Sequence, residues 1–190
     1  SGAVAGREFH FTVADFERVR QLIYKHAGIS LAPNKQDMVY SRLARRLRAH
    51  NMTSFDQYLA YLEQGHVGEW ETFVNSLTTN LTAFFRESHH FELLQKQLAG
   101  LAHRPIRIWC SAASTGEEPY SMAMTMVEVF NTYTPPVHII ATDLDTKVLA
   151  KAEAGIYAME RLEKMPQEKI KNFFLKGSGK QEGFARVRPE

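Results

Sequence analysis

Between about Arg104 and Ala154 the chain alternates strand, helix, strand and helix, and few folds accept that order. Pro105-Ile106-Arg107-Ile108-Trp109-Cys110 is a short apolar run of strand length. A turn follows from Ser111 to Glu118, and Pro119 stands where a first-turn helical proline belongs. Tyr120 to Phe130 then reads as a Met-rich helix, and Pro135-Pro136 breaks the chain. Val137-His138-Ile139-Ile140-Ala141 forms a second apolar strand that ends at Asp143, and Lys147 to Ala154 continues as helix. A βαβα order predicts a parallel sheet with crossover helices. Two strands are too few for a doubly wound domain, so the C-terminal part of such a domain is expected to lie outside this chain. After Gly155 the pattern changes. Phe173-Phe174-Leu175 and Phe184-Ala185-Arg186-Val187 flank the turn-rich Gly177-Ser178-Gly179-Lys180, which predicts a hairpin.

The preceding stretch, from about Thr12 to Gly100, reads as helices. Thr12 is a candidate N-cap with an acidic first turn behind it. Phe16, Val19, Ile23 and Tyr24 follow at helical spacing, and Gly28 ends that helix. Pro33 opens a second helix reaching about His50. Ser54 caps a third, and Trp70, Phe73 and Leu77 mark a fourth. The expectation is a small bundle with short connections.

Composition narrows the function classes. The chain has 190 residues, 44% of them hydrophobic, enough for a real core. Its 23 basic and 21 acidic residues leave a net charge of +2, which does not suggest a bulk nucleic-acid binder. The one cysteine, Cys110, allows no internal disulfide and fits a reducing cytoplasm. No apolar run approaches the roughly 20 residues of a membrane helix. His89-His90 lacks the spacing of a metal site.

Ligands of open α/β sheets bind beyond the carboxyl ends of the strands, and two features stand there. The loop Ser111-Ala112-Ala113-Ser114-Thr115-Gly116 is built of small residues that permit close approach. Asp143 ends the second strand, where a carboxylate can accept both hydroxyls of a ribose. It could instead cap the next helix, although Asp145 is better placed for that. Gly116 alone does not make a G-x-G-x-x-G fingerprint. Glu117 and Glu118 put negative charge where a pyrophosphate needs a helix N-terminus. Both points disfavour a nicotinamide dinucleotide and a redox role. A ligand carrying an ammonium group, such as S-adenosylmethionine, suits a carboxylate there.

The run Asn75-Ser76-Leu77-Thr78-Thr79-Asn80-Leu81-Thr82-Ala83-Phe84-Phe85-Arg86-Glu87 resembles a signature of the chemotaxis receptor glutamate O-methyltransferases of the CheR type. So do the stretches from Ser111 to Ser121 and from Ala141 to Thr146, together with Asp37-Met38-Val39-Tyr40 and Gly155-Ile156-Tyr157. The resemblance covers nearly the whole chain. It implies an all-α N-terminal domain with linker, about 1–90, and a class I S-adenosylmethionine-dependent, Rossmann-like α/β domain, partial, at 91–190. A small β-subdomain is implied at about 170–190. It further implies cofactor contacts from Asn80, Thr82, Arg86, Glu118 and Asp143, with Glu118 facing the methionyl amino group and Asp143 the ribose. Arg86 has two candidate jobs: pairing with the cofactor carboxylate, or holding the acceptor glutamate beside the sulfonium.

Arg42, Arg45, Arg46 and Arg48 cluster on the second helix. At about 100° per residue, Arg42, Arg45 and Arg48 stay within a roughly 120° arc opposite Val39, Leu43 and Leu47. A solvated surface helix has the same pattern. The resemblance favours contact with the acidic, helical cytoplasmic region of methyl-accepting chemoreceptors, and in some relatives the hairpin grips a receptor tail by strand addition. It implies a cytoplasmic protein, not inserted in the membrane, recruited to receptor arrays. The competing reading is a truncated or non-catalytic receptor-binding module, which need not bind the cofactor or its product S-adenosylhomocysteine.

Overall fold

A computed structural model describes residues 6–101 and 105–190; Arg104, at the expected start of the second half, lies outside the described residues. The chain divides into two compact units, Ser1–Thr79 and Asn80–Glu190. No helix among the described residues is long and apolar enough to cross a membrane.

The first unit is all-α. Helix α1 (Val13–Ala27) starts at Thr12 in a capping box: Thr12 Oγ1 accepts from Asp15 N at 3.0 Å, and Asp15 Oδ2 accepts from Thr12 N at 2.8 Å. It ends at Gly28, whose φ of 69° is left-handed. Proline at position 33 opens a 3-10 turn (Pro33–Lys35) that leads into α2 (Gln36–Ala49). Ser54 caps α3 (Phe55–Glu63), and α4 (Val67–Leu77) completes the bundle. Val19, Ile23, Val39, Leu43, Leu47, Tyr58, Leu59 and Phe73 are fully buried between these helices.

One polar cluster interrupts that core. Glu69 on α4, with its side chain 6% exposed, accepts a two-pronged pair from Arg46 at 2.9 and 2.8 Å. It also bonds His50 Nε2 at 2.8 Å and accepts from Tyr58 Oη at 2.7 Å. Burial alone would raise the Glu69 pKa. The bonds from Arg46, Tyr58 and His50 outweigh it and hold the carboxyl below its ordinary value. Burial, with the Glu69 carboxylate beside it, pushes the Tyr58 phenol well above its usual range, so it stays a donor.

The second unit begins with segment 80–88 and α5 (His89–Leu98). Strand β1 (Ile106–Cys110) pairs in parallel with β2 (Val137–Ala141), from Ile106↔Val137 to Cys110↔Ala141. The crossover is α6 (Glu117–Phe130), and α7 (Thr146–Ala154) follows β2. Asp145 is the N-cap of α7, accepting from the amides of Lys147 and Val148. The predicted hairpin is present as β4 (Phe174–Lys176) and β5 (Phe184–Val187), preceded by α8 (Gln167–Phe173). It belongs to a three-stranded antiparallel sheet of order β3–β5–β4, whose extra strand is β3 (Ile156–Ala158). Phe84, Met124, Tyr157, Leu162, Phe173 and Phe174 form the core here, so the start of segment 80–90 packs with this unit.

Replacing Glu69 by alanine leaves Arg46 without its carboxylate and the buried Tyr58 hydroxyl without its acceptor, and should cost about 2–4 kcal/mol at neutral pH. Because the folded pKa is depressed, this contribution is present above the ordinary value of 4.5 and is lost as pH falls through the lower folded value. Urea unfolding of both proteins should show the gap closing in acid. An equal gap at neutral and strongly acidic pH would exclude an ionic origin.

Candidate active site

The site grows from the carboxyl ends of β1 and β2. Thr142 N donates to Cys110 O and Ala113 N to Thr142 O, both at 2.9 Å, which draws the two post-strand turns together. Asp143 then locks them. Its Oδ2 accepts from Ser114 N and its Oδ1 from Asp145 N, each at 2.8 Å. A carboxylate has roughly four lone-pair positions, so two acceptors remain on a side chain whose direction is already fixed. Asp143 therefore does not cap α7.

The turn itself is strained. Ser114 has a φ of 49° and Gly116 of 100°. A Cβ on Gly116 would stand 2.7 Å from Tyr157 Oη and 3.0 Å from Ala152, so both backbone angle and space demand glycine. The Ser114 hydroxyl is buried and has no partner. A buried polar atom without a partner costs free energy, and beside a carboxylate with spare acceptors it fits a polar ligand carrying hydroxyl or amine groups.

Helix α6 starts with two glutamates that have separate tasks. Glu118 is exposed, and its Oε1 accepts the Cys110 thiol at 3.2 Å. Burial, helped by that carboxylate, pushes the Cys110 pKa up to about 12, so the thiol stays protonated and unreactive. Glu117 is 1% exposed and accepts from Thr115 Oγ1 at 2.6 and 2.9 Å and from Arg161 Nη2 at 2.9 Å.

Segment 80–87 approaches these turns. Asn80 Nδ2 donates to Asp145 Oδ2 at 3.0 Å, and the Thr82 carbonyl accepts from Arg161 at 3.2 Å. Phe85 N donates to Ser121 Oγ at 3.0 Å. Phe85 and Glu87, flanking Arg86, both have left-handed φ, at 51° and 55°. For a bulky residue such as Phe85 that conformation is an outlier that only surrounding contacts maintain. Arg86 is exposed and donates from Nη1 to Leu81 O at 3.0 Å, closing its own loop. It also lines a cavity of about 570 Å³ together with Phe85, Phe91, Thr125 and Lys169; Asn80, Thr82, Glu118 and Asp143 do not line that cavity.

Asn80 thus meets the turn that carries Asp143, Thr82 is tied through its carbonyl, and Arg86 faces a neighbouring hollow. Glu117, Ser121 and Tyr157, which complete the framework with Arg161, lie in stretches that carry the resemblance but receive no role from sequence, and Arg161 lies outside those stretches. Arg161 stands 44 residues from Glu117, and only the fold joins them.

The arginine helix α2 is less free than its sequence suggests. Arg42 donates to the carbonyls of Ser76 and Thr78 at 3.3 and 2.7 Å, closing the C-terminus of α4. Arg46 is held by Glu69, and Arg48 pairs with Glu8. Arg45 is exposed.

Residues 14–78 match the all-alpha domain model of the CheR methyltransferases, and residues 80–189 match the S-adenosylmethionine-binding domain model of the same family. Over its full length the chain is 53% identical to chemotaxis protein methyltransferase 2 of Pseudomonas aeruginosa, covering 68% of that protein. It is 51% identical to the chemotaxis protein methyltransferase of Escherichia coli and 48% identical to that of Salmonella typhimurium. Each of those two matches covers 93% of the chain and 62% of the relative. An all-α unit followed by an S-adenosylmethionine-binding unit is the order of these two domain models, and the two units of the fold follow the same order: the chain belongs to the CheR methyltransferase family.

Proposed function

We propose that this protein transfers a methyl group from S-adenosylmethionine to glutamate side chains of bacterial chemoreceptors, as a protein-glutamate O-methyltransferase of chemotactic adaptation. The observation that carries the reading is the anchored Asp143 carboxylate. It has two acceptors to spare beside the unpartnered Ser114 hydroxyl. In the bound state Asp143 holds the ribose hydroxyls, Glu118 the methionyl ammonium, and Asn80 and Thr82 flank the ligand. The cofactor supplies an electrophilic methyl on a positive sulfur. The acceptor carboxylate is already ionised at neutral pH, so no strong base is required. The chain's contribution is positioning and exclusion of water. Arg86 spends one amino group on Leu81 and keeps Nη2 and Nε for a carboxylate.

The exposed guanidinium of Arg45, with Arg48 beside it, suits the acidic helical region of a receptor. An extended receptor tail can add to an outer edge of the β3–β5–β4 sheet. The protein then works in the cytoplasm, drawn to receptor arrays by its substrate. A receptor-binding module without catalysis would need no S-adenosylhomocysteine site, so calorimetry with that product separates the two readings.

Asp143→Ala should weaken S-adenosylhomocysteine binding by about 1–3 kcal/mol, the scale of a lost charged hydrogen-bond partner. Unchanged affinity would refute the ribose role. Arg86→Lys should lower methyl transfer in the full chain at least about tenfold, roughly 1.4 kcal/mol of transition-state stabilisation, and Arg86→Ala more. If saturating cofactor restores both variants, Arg86 only binds cofactor. Replacing Arg45 and Arg48 by alanine should slow receptor methylation and flatten its salt dependence while cofactor affinity stays constant. Arg42 is left intact because its loss would open the end of α4. A rate unchanged at low salt would leave α2 as a solvated surface.

A further inference from the structure

Two routes lead from the buried residue Glu117 to segment 82–85. In the first, the Glu117 carboxylate accepts from Arg161 Nη2 at 2.9 Å, and the same amino group donates to the Thr82 carbonyl at 3.2 Å. An arginine amino group has two hydrogens, so one nitrogen serves both acceptors. In the second, the Glu117 carbonyl accepts from Ser121 Oγ at 2.6 Å, and Ser121 Oγ accepts from Phe85 N at 3.0 Å. The second tie point, Phe85, is itself left-handed, and Glu87 beyond it is left-handed too. The chain leading to Arg161 is anchored separately. Four residues earlier, Tyr157 of β3 donates to the Thr115 carbonyl at 2.6 Å and packs edge-on against Phe84 at 4.9 Å.

We propose that Arg161 is a positioning residue of the methyl-donor site, clamping the carbonyl of Thr82 to Glu117 so that segment 80–86 stays over the β1–α6 turn. The proposal rests on the reading of that turn and segment as the S-adenosylmethionine site. Arg161 touches no reacting atom in this role; it acts through Thr82 and Glu117. Its side chain is 44% exposed while that of Glu117 is 1% exposed. The carboxylate is thus committed to the clamp, and the guanidinium reaches it from the solvent side.

The test is calorimetric titration of the full chain with S-adenosylhomocysteine, alongside thermal unfolding. Arg161→Met should bind about tenfold more weakly, the effect of one lost charged hydrogen bond. It should also unfold at lower temperature, because the buried Glu117 carboxylate keeps Thr115 but loses its cationic partner. Adding Glu117→Gln to Arg161→Met removes that stranded charge and should restore the unfolding temperature. Affinity should stay low, since Thr82 is still untied. If affinity returned together with stability, Arg161 would be only a charge partner and the clamp would be refuted. Wild-type affinity in Arg161→Met would refute it too. A wild-type chain that binds no S-adenosylhomocysteine would overturn the site reading itself, and with it the clamp.

Discussion

A carboxylate that loses water must be paid in hydrogen bonds, and Glu117 sets the second unit around that requirement. It lies at the first position of α6, where the unpaired amides of a helix start already favour negative charge. Its carboxylate is met from two directions, by Thr115 in the turn before it and by Arg161 after β3, while its backbone carbonyl accepts from Ser121 one turn on. Because Arg161 comes from a distant stretch of chain and also reaches the Thr82 carbonyl, satisfying one group brings the β1–α6 turn, segment 80–87 and the chain after β3 together. Asp143 repeats the device one strand away, where its two backbone bonds join the turns after β1 and β2.

The same physics shapes the all-α unit to another end. Glu69 gathers Arg46, His50 and Tyr58 from α2, the residue after it and α3. This removes Arg46 from the pool of charges available to a partner. Arg42 is occupied by the last carbonyls of α4. Most of the arginines of α2 are therefore committed within the unit: Arg48 pairs with Glu8, and Arg45 stands exposed.

Much of the local structure was legible in the sequence. Thr12, Gly28, Ser54 and Asp145 act within a few residues of where they stand, so cap chemistry alone placed four helix ends. The two apolar runs bounded by turns became β1 and β2 as a parallel pair. The third antiparallel strand was not legible: Ile156-Tyr157-Ala158 is too short to show a period, and it exists because β5 offers it an edge. Helical phase placed Arg42, Arg45 and Arg48 on one face, but phase carries no information about which guanidinium finds a carbonyl.

The sequence by itself determined the family, the order of the bundle helices and of the parallel strand pair, and which residues stand in the turns after those strands. These follow from composition and spacing along the chain, and from motifs read in order. Only the tertiary structure decided which of two adjacent glutamates is buried, since Glu117 and Glu118 differ by one step around a helix and sequence assigns neither to the core. It also decided that Asp143 is held by two backbone amides and that Arg161 reaches Glu117. Hydrogen bonds between residues 29 and 44 positions apart form only when packing has already closed the loop between them.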